Sequence, residues 1–264
     1  MQLMVDIYRP MHRQGPGSRA ATVRALEIAG LGGEKGLRIA DIGCGTGASS
    51  VILAQLLEAD VVAVDFLPPL LDELMIRASQ EGLADQITTI EASMEQLPFT
   101  DGEFDVLWSE GAIYNMGFRE GVQAWLRFLK PGGVLVVSEI TWTTAERPRE
   151  IDEFWMQEYP QIDVASAKIE VLEQAGYSPQ GYFVLPEDCW TMEFYGPLEE
   201  RLADVEQQHG SLPEVQQLVA AQRAEIDLYR RYGQYFGYGM YVARMLGSDK
   251  GGRIPESRGG AGPF

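Results

Sequence analysis

Residues 39–50, IADIGCGTGASS, place Gly43, Gly45 and Gly47 between an apolar run and an amphipathic one. A glycine loop at such a junction lets backbone N–H groups and a helix N-terminus come close to a ligand. Asp65 lies twenty residues after Gly45, at the end of the next apolar run, VVAVD, where a carboxylate can accept ribose hydroxyls. Gly43, Gly45 and Ala48 also satisfy G-x-G-x-x-G/A, so these residues alone admit a nicotinamide cofactor and an oxidoreductase. A second feature is FDVLWSEGAIYN, residues 104–115, in which an apolar run ends abruptly in an acid, a tyrosine and an asparagine. Glu110 there reads either as a general base or as the end of a strand that has reached solvent.

The elements that must position these residues follow from hydropathy. LRIADI, VVAVD, QITTIEA, FDVLWSE and GVLVVSEI read as five strands. TGASSVILAQLLEA, PLLDELMIRASQEG and REGVQAWLRFLK have apolar residues at helical spacing and are long enough for crossover helices. The alternation predicts an α/β fold around a mainly parallel sheet, with the turn at 131–133 ending the third helix and launching the fifth strand. Beyond it, ERPREIDEFWMQEYP and VASAKIEVLEQAG read as helices, and GYFVLP reads as a sixth strand. Residues 187–232 read as mostly helical, and QYFGYGMYVARM as a last strand whose Gly237 and Gly239 mark a bulge or a close contact. One domain over residues 1–246 is expected, followed by a disordered glycine-rich tail at 247–264.

Composition narrows the function classes. A net charge of -18 opposes nucleic acid, because a polyanion calls for a basic surface that releases counterions. Two cysteines, Cys44 and Cys189, and two histidines, His12 and His209, give no metal-ligand spacing, so no metal is expected. No apolar run is long enough to span a membrane and no signal-peptide pattern is present, which predicts a soluble cytoplasmic protein with no membrane partner. Oligomeric state is left open, a homodimer included.

The run D-I-G-C-G-T-G, residues 41–47, resembles the first motif of class I S-adenosylmethionine-dependent methyltransferases, with an acid two residues before the first glycine and a third glycine at Gly47. EASMEQLPF and the following DGEFDVL match that family's spacing into strand four. QGPGS at 14–18, WSEGAIYNMGF at 108–118, ERPREIDEFWM at 146–156 and LPEDCWT at 185–191 are similar to a bacterial small-molecule group related to the ubiquinone and menaquinone methyltransferases. The resemblance, over roughly residues 8–245, implies a Rossmann-like, seven-stranded sheet of order 3-2-1-4-5-7-6 with the last strand antiparallel. It also implies helices on both faces, an N-terminal lid over residues 1–30 and a helical lid insertion over 186–232.

It implies S-adenosyl-L-methionine as cofactor, held by Asp41, Gly43, Cys44, Gly45, Asp65 and Phe66, with Ser93 and Met94 along the adenine. A methyl group would pass to nitrogen or oxygen of a small molecule, an amine or an aromatic ring, by in-line displacement from a sulfonium. Glu110 would then offer its backbone carbonyl to the cofactor, attract an amine, or act as base. Tyr114 and Asn115 would line the acceptor side, and His12 in the lid could serve as base for a hydroxyl, since histidine changes charge near neutral pH. Trp108 is expected in the core; Trp142, Trp155, Tyr159, Trp190 and Tyr195 form either an aromatic wall at the pocket mouth or the packing of inserted helices. A non-catalytic protein that binds the same cofactor is a further reading.

Overall fold

A computed structural model of the chain describes residues 2–247, so the tail expected to be disordered lies, apart from Gly247, outside the described residues. The short apolar runs form parallel strands β1 (Arg38–Ile42), β2 (Asp60–Asp65), β3 (Ile87–Glu91), β4 (Phe104–Ser109) and β5 (Leu129–Trp142). A two-residue strand β6 (Asp163–Val164) pairs with the end of β5; β7 (Tyr177–Val184) and β8 (Phe236–Met245) complete the sheet. The strand order is β3-β2-β1-β4-β5-β8-β7, with β8 antiparallel to both neighbours. Leaving aside the small β6, this is the expected seven-strand order.

Successive residues of each strand serve opposite faces, the period of two that a pleated strand imposes. Ile39, Val61, Val106 and Val136 enter one core with helices α2 (Arg19–Ile28), α3 (Ala48–Leu57) and α4 (Pro68–Gln80). Ala40, Val62, Leu107 and Leu135 enter the other, covered by α5 (Phe118–Trp125) and α7 (Ala165–Gln174). Both faces are covered, which is why the strands read as nearly unbroken apolar runs rather than alternating ones. The first of these cores also takes Ile151 of α6 (Arg149–Glu158).

Between β7 and β8 the chain forms α8 (Glu187–Trp190), a π-helical turn (Thr191–Tyr195), α9 (Gly196–His209) and α10 (Pro213–Tyr232). These helices bury Leu198, Leu202, Val215 and Val219 in the first core, and α9 packs against the N-terminal helix α1 (Gln2–Tyr8). Trp190 stacks on Tyr229 with ring centroids 4.6 Å apart, and Trp155 meets Phe236 edge-on at 5.1 Å. Of the aromatic residues expected near the pocket mouth, Trp190 and Tyr195 pack the inserted helices onto β8, Trp155 packs α6 onto it, Trp142 lies within β5, and Tyr159 meets Tyr114 edge-on at 6.2 Å.

Some boundaries differ from the sequence reading: β7 begins at Tyr177, ahead of the expected Gly181. The third crossover helix stops at Trp125 and tightens into a 3₁₀ turn at Leu126–Phe128, and β5 begins at Leu129, ahead of the Pro-Gly-Gly segment. The pairing with β4 jumps from Phe104↔Leu129 to Val106↔Val134, so this segment is an irregularity inside the strand rather than a turn before it. At the other end, Gly239 is a close contact: a Cβ there would lie 3.0 Å from Thr141 Oγ1 and 2.9 Å from the Tyr241 ring. The bulge itself falls on the partner strand, between Pro179 and Gly181.

Candidate active site

The C-terminal ends of β1, β2 and β4 open into one cavity of about 540 Å³, within the roughly 300–1,000 Å³ typical of small-molecule sites. Its floor is the turn after β1. Gly43 and Cys44 donate their N–H groups to Val64 O, at 2.8 and 3.0 Å, which ties the turn to β2. Gly47 has φ 80° and is followed at once by α3, and a side chain on it would collide with Leu74 of α4. Only glycine meets both demands.

Asp65 closes the loop from the other side. Its Oδ2 accepts from Gly45 N at 2.9 Å and its Oδ1 from Leu67 N at 3.0 Å, so the carboxylate is aimed by backbone donors at the cavity it lines. Burial raises its pKa, and the N–H groups of Leu67 and Gly45 oppose that rise by favouring the charged form. Phe66, 58% exposed, lies beside it on the cavity wall; Ser93 and Met94, after β3, line the same cavity. The Met94 carbonyl accepts from Trp125 Nε1 at 3.1 Å, which anchors that segment to α5.

Asp41 is buried at the end of β1, accepts from Ser50 Oγ at 2.6 Å and lines the cavity. Burial pushes its carboxyl up to about 7 from an ordinary value of 3.8, the Ser50 hydrogen bond works against the rise, and the nearby charge of Glu110 adds to it. Cys44 is a buried free thiol on the cavity wall, and burial raises its pKa well above the ordinary thiol value.

The N-terminal segment is strapped over this floor. Gln14 Nε2 donates to Tyr8 O at 3.0 Å and to Thr46 Oγ1 at 3.0 Å, while Gln14 Oε1 accepts from Thr46 N at 2.9 Å. That side-chain oxygen occupies the space a Cβ on Gly45 would need, so the middle glycine serves the strap as well as the loop. Arg77 of α4 donates to the carbonyls of Met11 and His12, at 2.7 and 3.0 Å. His12 is thereby held through its backbone, while its side chain is exposed and absent from the cavity lining. The base expected at His12 is not positioned at the site.

Glu110 differs most from its sequence reading. It lines the cavity just past β4, but its side chain is 6% exposed and pairs with Arg13, itself 5% exposed, at 2.8 Å. Its other oxygen, Oε1, accepts from Trp108 Nε1 at 2.9 Å and from Thr22 Oγ1 of α2 at 3.1 Å. The carboxylate expected either to remove a proton or to face solvent is instead committed to three donors. It latches the strap and α2 to the sheet edge. Trp108 is fully buried, as its place within the strand implied.

Arg13, which the sequence reading passed over, has one nitrogen on Glu110 and a second, Nη2, buried without a hydrogen-bond partner. Its charge also reaches Asp41. A buried guanidinium nitrogen with no acceptor is costly, and Arg13 is one of the residues that line the cavity. Tyr114, 40% exposed, and Asn115 line the cavity after β4, as does Tyr8 of α1. Among the described residues no group of acidic, histidine or cysteine side chains could hold a metal ion, and no helix is long and apolar enough to cross a membrane.

Residues 39–133 match a family model described as a methyltransferase domain. The chain is 32% identical over 161 residues to the ribosomal protein arginine N-methyltransferase rmt3 of Schizosaccharomyces pombe, covering 58% of this chain and 28% of that protein. It is 38% identical over 126 residues to a demethylmenaquinone methyltransferase of Clavibacter sepedonicus, covering 47% of each. The chain thus spans less than half the length of these two curated relatives. A solved SAM-dependent methyltransferase from Geobacter sulfurreducens, in complex with S-adenosyl-L-homocysteine, superposes with TM-score 0.81 at 17% identity, over 92% of this chain and 97% of that one.

Proposed function

We propose that this chain, which carries a class I methyltransferase domain, is an S-adenosylmethionine-dependent methyltransferase acting on nitrogen or oxygen of a small molecule. The observation that carries this reading is one cavity holding Asp65, bonded to the glycine loop, together with Asp41 near a half-satisfied Arg13. The set fits the cofactor chemically. Asp65 would accept from the ribose diol, Asp41 would face the ammonium of the amino-acid end, and Arg13 Nη2 would meet its carboxylate. When bound, S-adenosylmethionine supplies a methyl group already activated by the sulfonium charge. The chain's own task is then to hold the acceptor in line and exclude water, and such positioning is worth roughly 7–11 kcal/mol in intramolecular models. With Glu110 committed to Arg13, Trp108 and Thr22, its contribution is to keep the strap closed.

A nicotinamide dinucleotide fits less well, because its pyrophosphate would bring negative charge beside the buried Asp41. Calorimetric titration with S-adenosylmethionine and with NADH separates the two. Binding of the first alone, followed by transfer of a labelled methyl group to a member of a metabolite panel, is the expected result; binding of NADH alone overturns the reading. The two curated relatives act, by their names, on a protein arginine and on demethylmenaquinone, so the acceptor must be argued from this cavity.

Asp41 supplies a pH test. The unfolded chain loses this proton near 3.8 and the folded chain near 7, so the penalty for burying Asp41 grows as pH rises between those values and is constant above them. A cationic ammonium binds the ionised form. Affinity for S-adenosylmethionine is therefore expected to fall about tenfold when pH drops from about 8 to about 6, and to become nearly flat over that range in Asp41→Asn.

A further inference from the structure

Between Gly45 and Gly47 stands Thr46, fully buried and not among the residues that line the cavity. Its hydroxyl is turned to the strap. It can donate to the carbonyl of Met11 at 3.1 Å or to that of His12 at 3.2 Å, and it accepts from Gln14 Nε2 at 3.0 Å. Its backbone N–H donates to Gln14 Oε1 at 2.9 Å. Gln14 Nε2 also reaches Tyr8 O at 3.0 Å and Met11 O at 3.2 Å. Only an amide can accept from the loop N–H at one end of its fork and donate to carbonyls at the other. Gln14, unlike Thr46, lines the cavity.

These ties lie on both sides of Arg13 in the chain. Met11, His12 and Gln14 are each joined to the glycine loop through Thr46, and Arg77 of α4 donates to the first two as well. At the other end of the arginine, Nη1 is held by Glu110 at 2.8 Å. Gly17 leaves the room this pair needs: a Cβ there would lie 2.7 Å from Glu110 Oε2 and 3.1 Å from Arg13 Cζ. The side chain is thus fixed at its base by backbone ties and at its tip by one carboxylate, with Nη2 left for another acceptor. Rotamer freedom that an arginine would otherwise lose on meeting a ligand is lost already on folding.

We propose that Gln14 and Thr46 are positioning residues for the Arg13 guanidinium: by clamping the strap to the glycine loop on either side of it, they set Nη2 where it reads the carboxylate of the cofactor's amino-acid end. The inference rests on the methyltransferase reading and adds to it the pair that fixes where that donor stands. A guanidinium–carboxylate contact is short and directional, so a strap free to rock on the loop loses it. The contact proposed for the ribose does not depend on the strap, because Asp65 is aimed by Gly45 N and Leu67 N. Loosening the clamp should therefore damage recognition of one end of the cofactor and spare the other.

The test compares calorimetric affinities for S-adenosylhomocysteine and for S-adenosyl-3-thiopropylamine, which keeps the nucleoside, the sulfur and the amine and lacks only the carboxylate. The unaltered protein is expected to favour S-adenosylhomocysteine about tenfold or more, as a charged hydrogen bond implies. In Gln14→Met and in Thr46→Val, that preference should fall to about threefold or less, through weaker binding of S-adenosylhomocysteine alone. Thr46→Ser, which keeps the hydroxyl, should retain it. The double variant Arg13→Met, Glu110→Leu should also lose the preference, and adding Gln14→Met to it should change the ratio no further. Equal weakening of both ligands in Gln14→Met and Thr46→Val, an undiminished preference in them, or a further fall on the double variant overturns the inference. So does the lack of any preference in the unaltered protein. Failure of the unaltered protein to bind either ligand instead overturns the methyltransferase reading beneath it.

Discussion

Glu110→Ala is expected to lower the unfolding free energy by about 3–5 kcal/mol, because it leaves the Arg13 guanidinium, only 5% exposed, without its carboxylate. For a domain of this length that is a fall in Tm of roughly 10 °C, measured by thermal or chemical denaturation of the ligand-free protein. Trp108 and Thr22 lose their acceptor at the same time, so the damage extends from the strap to α2. Removing both charges should cost much less than removing one. The double variant Arg13→Met, Glu110→Leu is expected to recover most of the lost stability, since apolar groups of similar volume replace buried ion pairs at little cost. It should still bind S-adenosylmethionine poorly, having lost the donor proposed for the carboxylate. A fully stable Glu110→Ala would show that the carboxylate does not latch the strap and would return the general-base reading to the front.

Asp65→Ala should weaken S-adenosylhomocysteine binding by about 100-fold or more, with the fold retained by circular dichroism. Hydrogen bonds to a charged group contribute about 1.5–3 kcal/mol each, and the ribose diol would make two. The substitution also frees Gly45 N and Leu67 N, which the carboxylate holds at 2.9 and 3.0 Å, so the glycine loop keeps only its backbone ties to Val64 at the end of β2. Asp65→Asn is expected to be nearly as damaging. One of its terminal atoms is an N–H donor, and it would face a backbone N–H whichever way the amide is turned. Unchanged affinity in either variant would remove Asp65 from the cofactor site.

The strands and the floor of the site were legible because they are local. The five apolar runs, the glycines between β1 and α3 and the acid at the end of β2 each lie within a single strand–turn–helix unit, and such units carry their geometry in residue type and spacing. Strand order was not legible from pattern alone; it entered through the resemblance. The Pro-Gly-Gly segment shows where local reading fails. Its composition signals a turn, yet pairing with β4 draws Leu129 into the sheet ahead of it.

Side-chain roles at the site divide in the same way. A glutamate after an apolar run looks available for chemistry, and nothing near it in sequence says otherwise. Its partners Arg13 and Thr22 lie 97 and 88 residues away. The histidine that caught the eye in YRPMHRQGPG is held by its carbonyl, while the arginine next to it carries the unmet hydrogen bond.

By itself the sequence determined the α/β alternation, the glycine loop, the acids at Asp41 and Asp65 and the family resemblance, because each is written in residues a few positions apart. Only the tertiary structure decided which charges are spent and which are free. That outcome depends on pairing between side chains from distant elements, and a buried carboxylate held by three donors behaves as a different chemical group from one left open to solvent.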